Sequence, residues 1–118
     1  MKGANQMIVA EVSIEPVGTG RASYSDIVAE SVKVLGHQKD VKYQVTAMST
    51  VLEGDRNAIL RVVHEMEEAC FKAGAKRCVT NLRIDERRDK PMHGIQEMER
   101  VIETKIGQTR QPGIRMRM

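Results

Sequence analysis

The sequence predicts an α+β fold of the ferredoxin-like type, a βαββαβ sandwich with a four-stranded antiparallel sheet and an extra C-terminal helix. Three observations carry that prediction. Stretches that alternate or suit an extended chain fall at 7–14, 41–46, 49–53 and 76–85. Two stretches with apolar residues at helical spacing fall between them, after the first strand and after the third. The order is therefore two strand–helix–strand halves, which in a chain of this length close into a single two-layer sandwich.

The first strand alternates cleanly. Ile8, Ala10, Val12 and Ile14 share one face, and Val9, Glu11 and Ser13 the other. Pro16 is expected to end it, with Gly18–Thr19–Gly20 as a flexible turn. Ser23 then begins a helix as a capping residue, with Asp26 three positions on and a stripe of Ile27, Val28, Val32 and Leu35. Gly36 stands where a helix often ends on a left-handed residue.

The stretch 41–55, VKYQVTAMSTVLEGD, reads as two strands that meet in a turn near Ala47–Met48. Asp55 is a plausible cap for the long helix that follows, whose apolar positions are Ile59, Val62, Val63, Met66, Ala69, Cys70 and Ala73. Gly74 ends that helix, and 76–85 forms the last strand. The run DERRDK is a solvated charge cluster. Ile95, Met98, Val101, Ile102 and Ile106 space like a third amphipathic helix, closed by Gly107.

The chain is read as one domain over residues 1–106, with residues 107–118 a basic tail expected to be flexible. Residues 1–106 hold 16 Lys/Arg and 16 Asp/Glu, so the net charge of +3 comes from Arg110, Arg115 and Arg117 alone. The charge therefore describes a tail, not a basic domain face. Aromatics are limited to Tyr24, Tyr43 and Phe71, which argues against a surface of stacked aromatics for single-stranded nucleic acid. Cys70 and Cys78 read as buried small hydrophobes of a reducing cytoplasm. No apolar run is long enough for a membrane span or a signal-peptide core, so a cytoplasmic location is expected.

Catalytic patterns are absent from this reading. Gly18–Thr19–Gly20 lacks the following GK[ST] of a phosphate loop, and His64 among Glu65, Glu67 and Glu68 makes no HExxH pattern. His37, His64 and His93 have no evident partner for acid–base or metal chemistry, so no catalytic residue, metal or resident cofactor is expected. The small polar groups concentrate instead in the central hairpin: Tyr43, Thr46, Ser49, Thr50 and Glu53. Thr46 and Thr80 are read as strand formers. An open sheet face carrying Val9, Tyr43 and Val45 would be unfavourable in water, so it is expected to be covered by another subunit, or in part by the third helix.

The runs VSIEPVG, SYSDIVAESVKVLG, KYQVTAMSTVLEGD and CFKAGAKRCVTNLRIDERRD resemble the small stand-alone members of the YkoF-like thiamine-binding protein family, over residues 7–90. The most specific part is Ser49, Thr50, Glu53 and Gly54, followed by the long helix and the Arg-Ile-Asp strand. The resemblance implies a non-catalytic subunit that forms homodimers or homotetramers through the open sheet face. It also implies thiamine or its hydroxymethylpyrimidine moiety as ligand, held near a subunit interface. The residues compatible with that chemistry are Glu11, Ser13, Tyr43, Ser49, Thr50, Glu53 and Asn81. Hydroxyls and an amide match a pyrimidine's donors and acceptors, and a carboxylate suits its amine or a thiazolium cation. The alternative is a structural or interaction module whose basic tail contacts nucleic acid or another protein. A membrane partner is not expected.

Overall fold

The structure, a computed structural model, describes residues 7–18 and 24–109, with side chains through Gly107. The elements run β1 (Met7–Val17), α1 (Tyr24–Lys33), a 3-10 turn (Val34–His37), β2 (Lys42–Val45), β3 (Thr50–Asp55), α2 (Arg56–Lys72), β4 (Arg77–Asp85) and α3 (Ile95–Thr109). The sheet order is β2-β3-β1-β4, with every pairing antiparallel. This is the ferredoxin-like arrangement expected from the element order, with β1 and β3 central.

Alternation in β1 sets the two faces. Ile8, Ala10, Val12, Ile14 and Pro16 are buried, while the odd positions between them are half-buried or exposed. The buried face meets α1 and α2, whose inner sides supply Ile27 and Ile59, both fully buried beside Leu35 and Leu52. Each such side chain removed from water contributes about 1.5–3 kcal/mol, so this single layer of aliphatic contacts dominates the stability.

Local chemistry fixes the joints. Asp55 has extended backbone angles and accepts from Asn57 N at 3.1 Å and Ala58 N at 3.4 Å, capping α2 as its sequence position suggested. Gly74 takes a positive φ of 121° after α2. Gln38 closes the loop ahead of β2. Its amide donates to Leu35 O and Val41 O, and its oxygen accepts from Val41 N, which seats Val41 in the core.

Several boundaries differ from the sequence reading. β1 does not end at Pro16 but pairs through Val17 with Arg77 of β4. β3 pairing stops at Val12, so the last turn of β1 has a neighbour on one side only, where proline is tolerated. Gly36 lies inside the 3-10 turn with no left-handed φ. Gly107 does not close α3, which runs on to Thr109. Ser23, read as a cap, and Thr19 and Gly20 of the expected turn lie outside the described residues, as does the tail from Arg110.

Candidate functional site on the open sheet face

The odd residues of β1 face away from α1 and α2, and the register places their neighbours in rows. One row is Glu53–Val9–Asp85, the next Val51–Glu11–Arg83, and the third pairs Ser13 with Asn81. Successive rows lie roughly 6.8 Å apart along the strands. Ser49 immediately precedes β3 on this side, since its hydroxyl donates to Glu11 Oε2 at 2.8 Å. Four of the expected site residues, Glu11, Ser13, Ser49 and Asn81, thus gather at one end of the open face, although they come from three different segments.

Glu11 is the chemical centre of that group. One carboxylate oxygen is held by Ser49. The other, Oε1, has Arg83 Nη1 at 3.6 Å, with the Arg83 side chain 90% exposed. An ion pair that long and that wet holds little free energy, so Oε1 can exchange the guanidinium for a better-placed donor. Asn81 is exposed rather than buried, so its amide does not need protein partners.

Three expectations for the hairpin change. Tyr43 pairs with Leu52 and Val45 with Thr50, which puts both on the helix-facing side at the β2 edge and not on the open face beside Val9. The Tyr43 hydroxyl there lies 3.9 Å from the position a Cβ would take on Gly36. Thr50 is also on the inner side and is buried, 6% exposed. Thr46 is the organiser of the turn rather than a strand former. Its hydroxyl donates to Ser49 O at 2.8 Å and accepts from Met48 N and Ser49 N. Thr80 likewise has a specific partner, donating to Glu67 Oε2 at 2.5 Å.

Glu53 is on the open face but already engaged. It accepts from Ile95 N at 2.7 Å, so its carboxylate caps the positive N-terminal end of α3. The fit depends on Gly94, because a Cβ there would come within 2.5 Å of Glu53 Oε1. One turn further along α3, Gln44 Nε2 donates to Glu99 Oε2 at 3.1 Å. These two bonds lay α3 across the sheet, so the third helix covers part of the open face, as its apolar stripe allowed.

Covering divides the face into hollows. Beneath α3 is a mostly apolar one of about 270 Å³, lined by Val9, Val51, Met92, Met98 and Ile102, with Asp85 and Glu99 at its rim. Along β1 and β4 lies a polar one of about 420 Å³, lined by Glu11, Arg83, Asp85 and Glu86 among others. Both are lined by Val9, Val51 and Asp85, so they adjoin along one trough of the open face. A larger groove of about 730 Å³ lies on the other side of α3, against β2. Arg83 and Asp85 escaped the sequence reading, yet the alternation Asn81, Arg83, Asp85 already put them on the face of Asn81. Met92 gave no local signal, and Met98, part of the apolar stripe of the third helix, is brought there by the placement of α3.

The two thiols lie behind this layer. Burial, with the neighbouring Cys70, pushes the Cys78 thiol up to about 11, and burial raises Cys70 as well. Both are held as neutral thiols, which suits packing rather than nucleophilic chemistry. Among the described residues no group of three His, Cys, Asp or Glu could hold a metal ion. Among them also, no helix is long and apolar enough to cross a membrane.

Comparison with known proteins agrees with this architecture. A family model described as thiamine-binding protein matches residues 10–104. The UPF0045 protein YqgV of Bacillus subtilis is 44% identical over 87 residues, spanning 71% of this chain and 84% of its own. The solved structure of the hypothetical protein MJ1052 from Methanocaldococcus jannaschii superposes with a TM-score of 0.70 at 37% identity, covering 83% of this chain and 97% of that one. A structure of a domain of unknown function, DUF77, from Bacillus cereus gives a TM-score of 0.74 at 26% identity, covering 85% and 94%. An open-faced ferredoxin-like sheet with a polar trough defines the class, a small α+β protein. The chain belongs to the thiamine-binding protein family. The family match reaches Thr104, so most of α3 is part of the shared domain, beyond the limit of residue 90 set by the sequence resemblance.

Proposed function

We propose that the protein is a non-catalytic carrier, buffer or sensor for thiamine or its hydroxymethylpyrimidine moiety, bound on the open face of the sheet. The family supports a binding role. The single observation that carries the placement is Glu11, a carboxylate oriented on the central strand by Ser49, with its second oxygen facing only a distant, solvated Arg83. An aminopyrimidine presents an exocyclic amine donor beside ring-nitrogen acceptors. Glu11 takes the amine, and Ser13 and Asn81, opposite each other in the register, supply donors to the ring. Glu53 acts indirectly here by seating α3, and Tyr43 and Thr50 support the hairpin from its inner side.

The open face is closed in this proposal by a second copy, as homodimer or homotetramer. Val17 and Val79 support that cover, since both lie on this face and are 37% exposed. Two neutral free thiols suit a reducing cytoplasm.

Calorimetry tests the reading directly. The native chain is expected to bind thiamine or the hydroxymethylpyrimidine saturably. Glu11→Gln is expected to weaken binding about tenfold, through loss of a charge-assisted bond, and Ser49→Ala about fivefold, through a misaligned carboxylate. Absence of heat with either compound at millimolar concentration refutes it. Light scattering with and without ligand checks the assembly.

A further inference from the structure

We infer that the apolar hollow beneath α3 is the seat of a second, cationic ring, and that the site therefore selects an unphosphorylated two-ring ligand over its phosphate esters. This inference rests on the proposed binding of thiamine or its pyrimidine half at Glu11, and adds the orientation and the form of the ligand.

The two hollows of the trough adjoin at Val9, Val51 and Asp85. Its polar part holds Glu11 and Arg83, and its apolar part, one row along β1, has Val9 and Val51 as floor and Met98 and Ile102 as roof. The rows are roughly 6.8 Å apart. That is the scale of two flat rings joined through one carbon. A pyrimidine at Glu11, with Ser13 and Asn81 on its other side, therefore directs a linked ring toward α3. Methionine at Met92 and Met98 is apt for a flat, polarisable ring, because the thioether adapts its shape and makes favourable contacts to aromatic systems.

Charge decides the form of that ring. The ionisable side chains lining the hollow are Asp85, Glu99 and His93, and among the described residues no lysine or arginine lines it. Glu99 is fixed by Gln44, and His93 Nδ1 lies 3.3 Å from Glu97. Arg87, close by in sequence, is held by Asp89 through two bonds of 2.8 Å. A permanent ring cation gains from Asp85 and Glu99, whereas a phosphate carried on the same ring meets two carboxylates in the hollow, the guanidinium of Arg83 lying one row away beside Glu11.

The inference is read with the chain labelled at its methionine ε-methyl carbons and titrated with four probes: thiamine, thiamine diphosphate, the aminopyrimidine alcohol and the thiazole alcohol. Thiamine is expected to shift the Met92 and Met98 methyl signals, the aminopyrimidine alcohol to bind without shifting them, and thiamine diphosphate to bind at least about tenfold more weakly than thiamine. Met98→Trp, at a site 41% exposed, fills the hollow. It is expected to reduce thiamine affinity to that of the aminopyrimidine alcohol while leaving the latter unchanged, and the methyl spectrum itself reports that the variant is folded. Asp85→Asn is expected to narrow the gap between thiamine and its diphosphate. The inference is overturned, with the binding function left standing, if thiamine binds but both methyl signals stay in place and Met98→Trp binds it normally. Equal or tighter binding of the diphosphate overturns the charge selection. If none of the four probes binds, the functional reading fails and this one with it.

Discussion

The contact between Glu53 and Gly94 makes a prediction in which a mutation changes sign with its background. A Cβ at residue 94 would stand 2.5 Å from Glu53 Oε1, 2.8 Å from Cδ and 3.0 Å from Oε2. All three atoms belong to one flexible carboxylate, so Gly94→Ala is relieved by swinging Glu53 away. That movement breaks the 2.7 Å bond to Ile95 N and withdraws the charge from the start of α3. Losing such a cap costs about 1–2 kcal/mol. The alanine returns about 0.4–1 kcal/mol by restricting the unfolded chain, so the net effect is a destabilisation of about 1 kcal/mol. In a Glu53→Ala background nothing remains to displace, and Gly94→Ala is expected to stabilise by about 0.5 kcal/mol. The cycle thus carries a coupling of about 1.5 kcal/mol. Urea unfolding of the four proteins measures it, with hydrogen exchange at Ile95 and Gln96 as the local readout of α3. A destabilisation of equal size in both backgrounds would show that Glu53 does not latch the helix.

Asp55→Ala removes the cap of α2 and is expected to cost about 1 kcal/mol, lowering the melting temperature by roughly 3–4 °C in a thermal scan. Thr46→Val keeps the strand propensity but deletes a hydroxyl that serves Ser49 O, Met48 N and Ser49 N. It is expected to lose 1–2 kcal/mol, roughly, and a loss near zero would return Thr46 to the role of a plain strand former. Cys78 titrates near 11 in the folded chain against an ordinary value of 9.0. Between those values the unfolded state binds fewer protons than the native one, so stability is expected to fall as pH rises from about 9 to 11 and to be insensitive to this group below 9. Iodoacetamide at pH 9 accordingly labels Cys78 slowly in the native protein and quickly in urea.

The sandwich was legible in the sequence because its signals are local. The alternation of β1, the stripe from Ile59 to Cys70 and the cap at Asp55 are each decided within one element, and each has the role its pattern implied. The candidate site was only half legible, for a reason built into strands. A period of two says which residues of one strand share a face, but not which face that is relative to the next strand. Tyr43 and Val45 were therefore grouped with Val9, and only the β2–β3 register, with Tyr43 opposite Leu52, turns them to the other side. Glu11, Ser13 and Asn81 needed no such step, since each sits at a polar interruption of an otherwise simple strand.

Glu53 shows how a residue singled out in the sequence can already have a partner within the fold. A half-buried carboxylate ahead of a helix in a ligand-like setting reads as a binding group, and its observed partner is a backbone N–H more than forty residues away. The consequence is functional all the same. With Glu53 holding Ile95 and Gln44 holding Glu99, α3 lies over Val9 and Val51 and turns a flat apolar strip into a hollow with a carboxylate rim. Without that helix the open face would offer Glu11 a single layer of contacts and little shelter from water, in which a carboxylate–amine pair is worth little. The expected ranking of variants follows from this geometry. Glu53→Ala should weaken thiamine binding through α3 while sparing the aminopyrimidine alcohol, whereas Glu11→Gln should weaken both. A calorimetric titration in which Glu53→Ala damages the two ligands equally would mean that Glu53 touches the ligand after all and that the helix is only its neighbour.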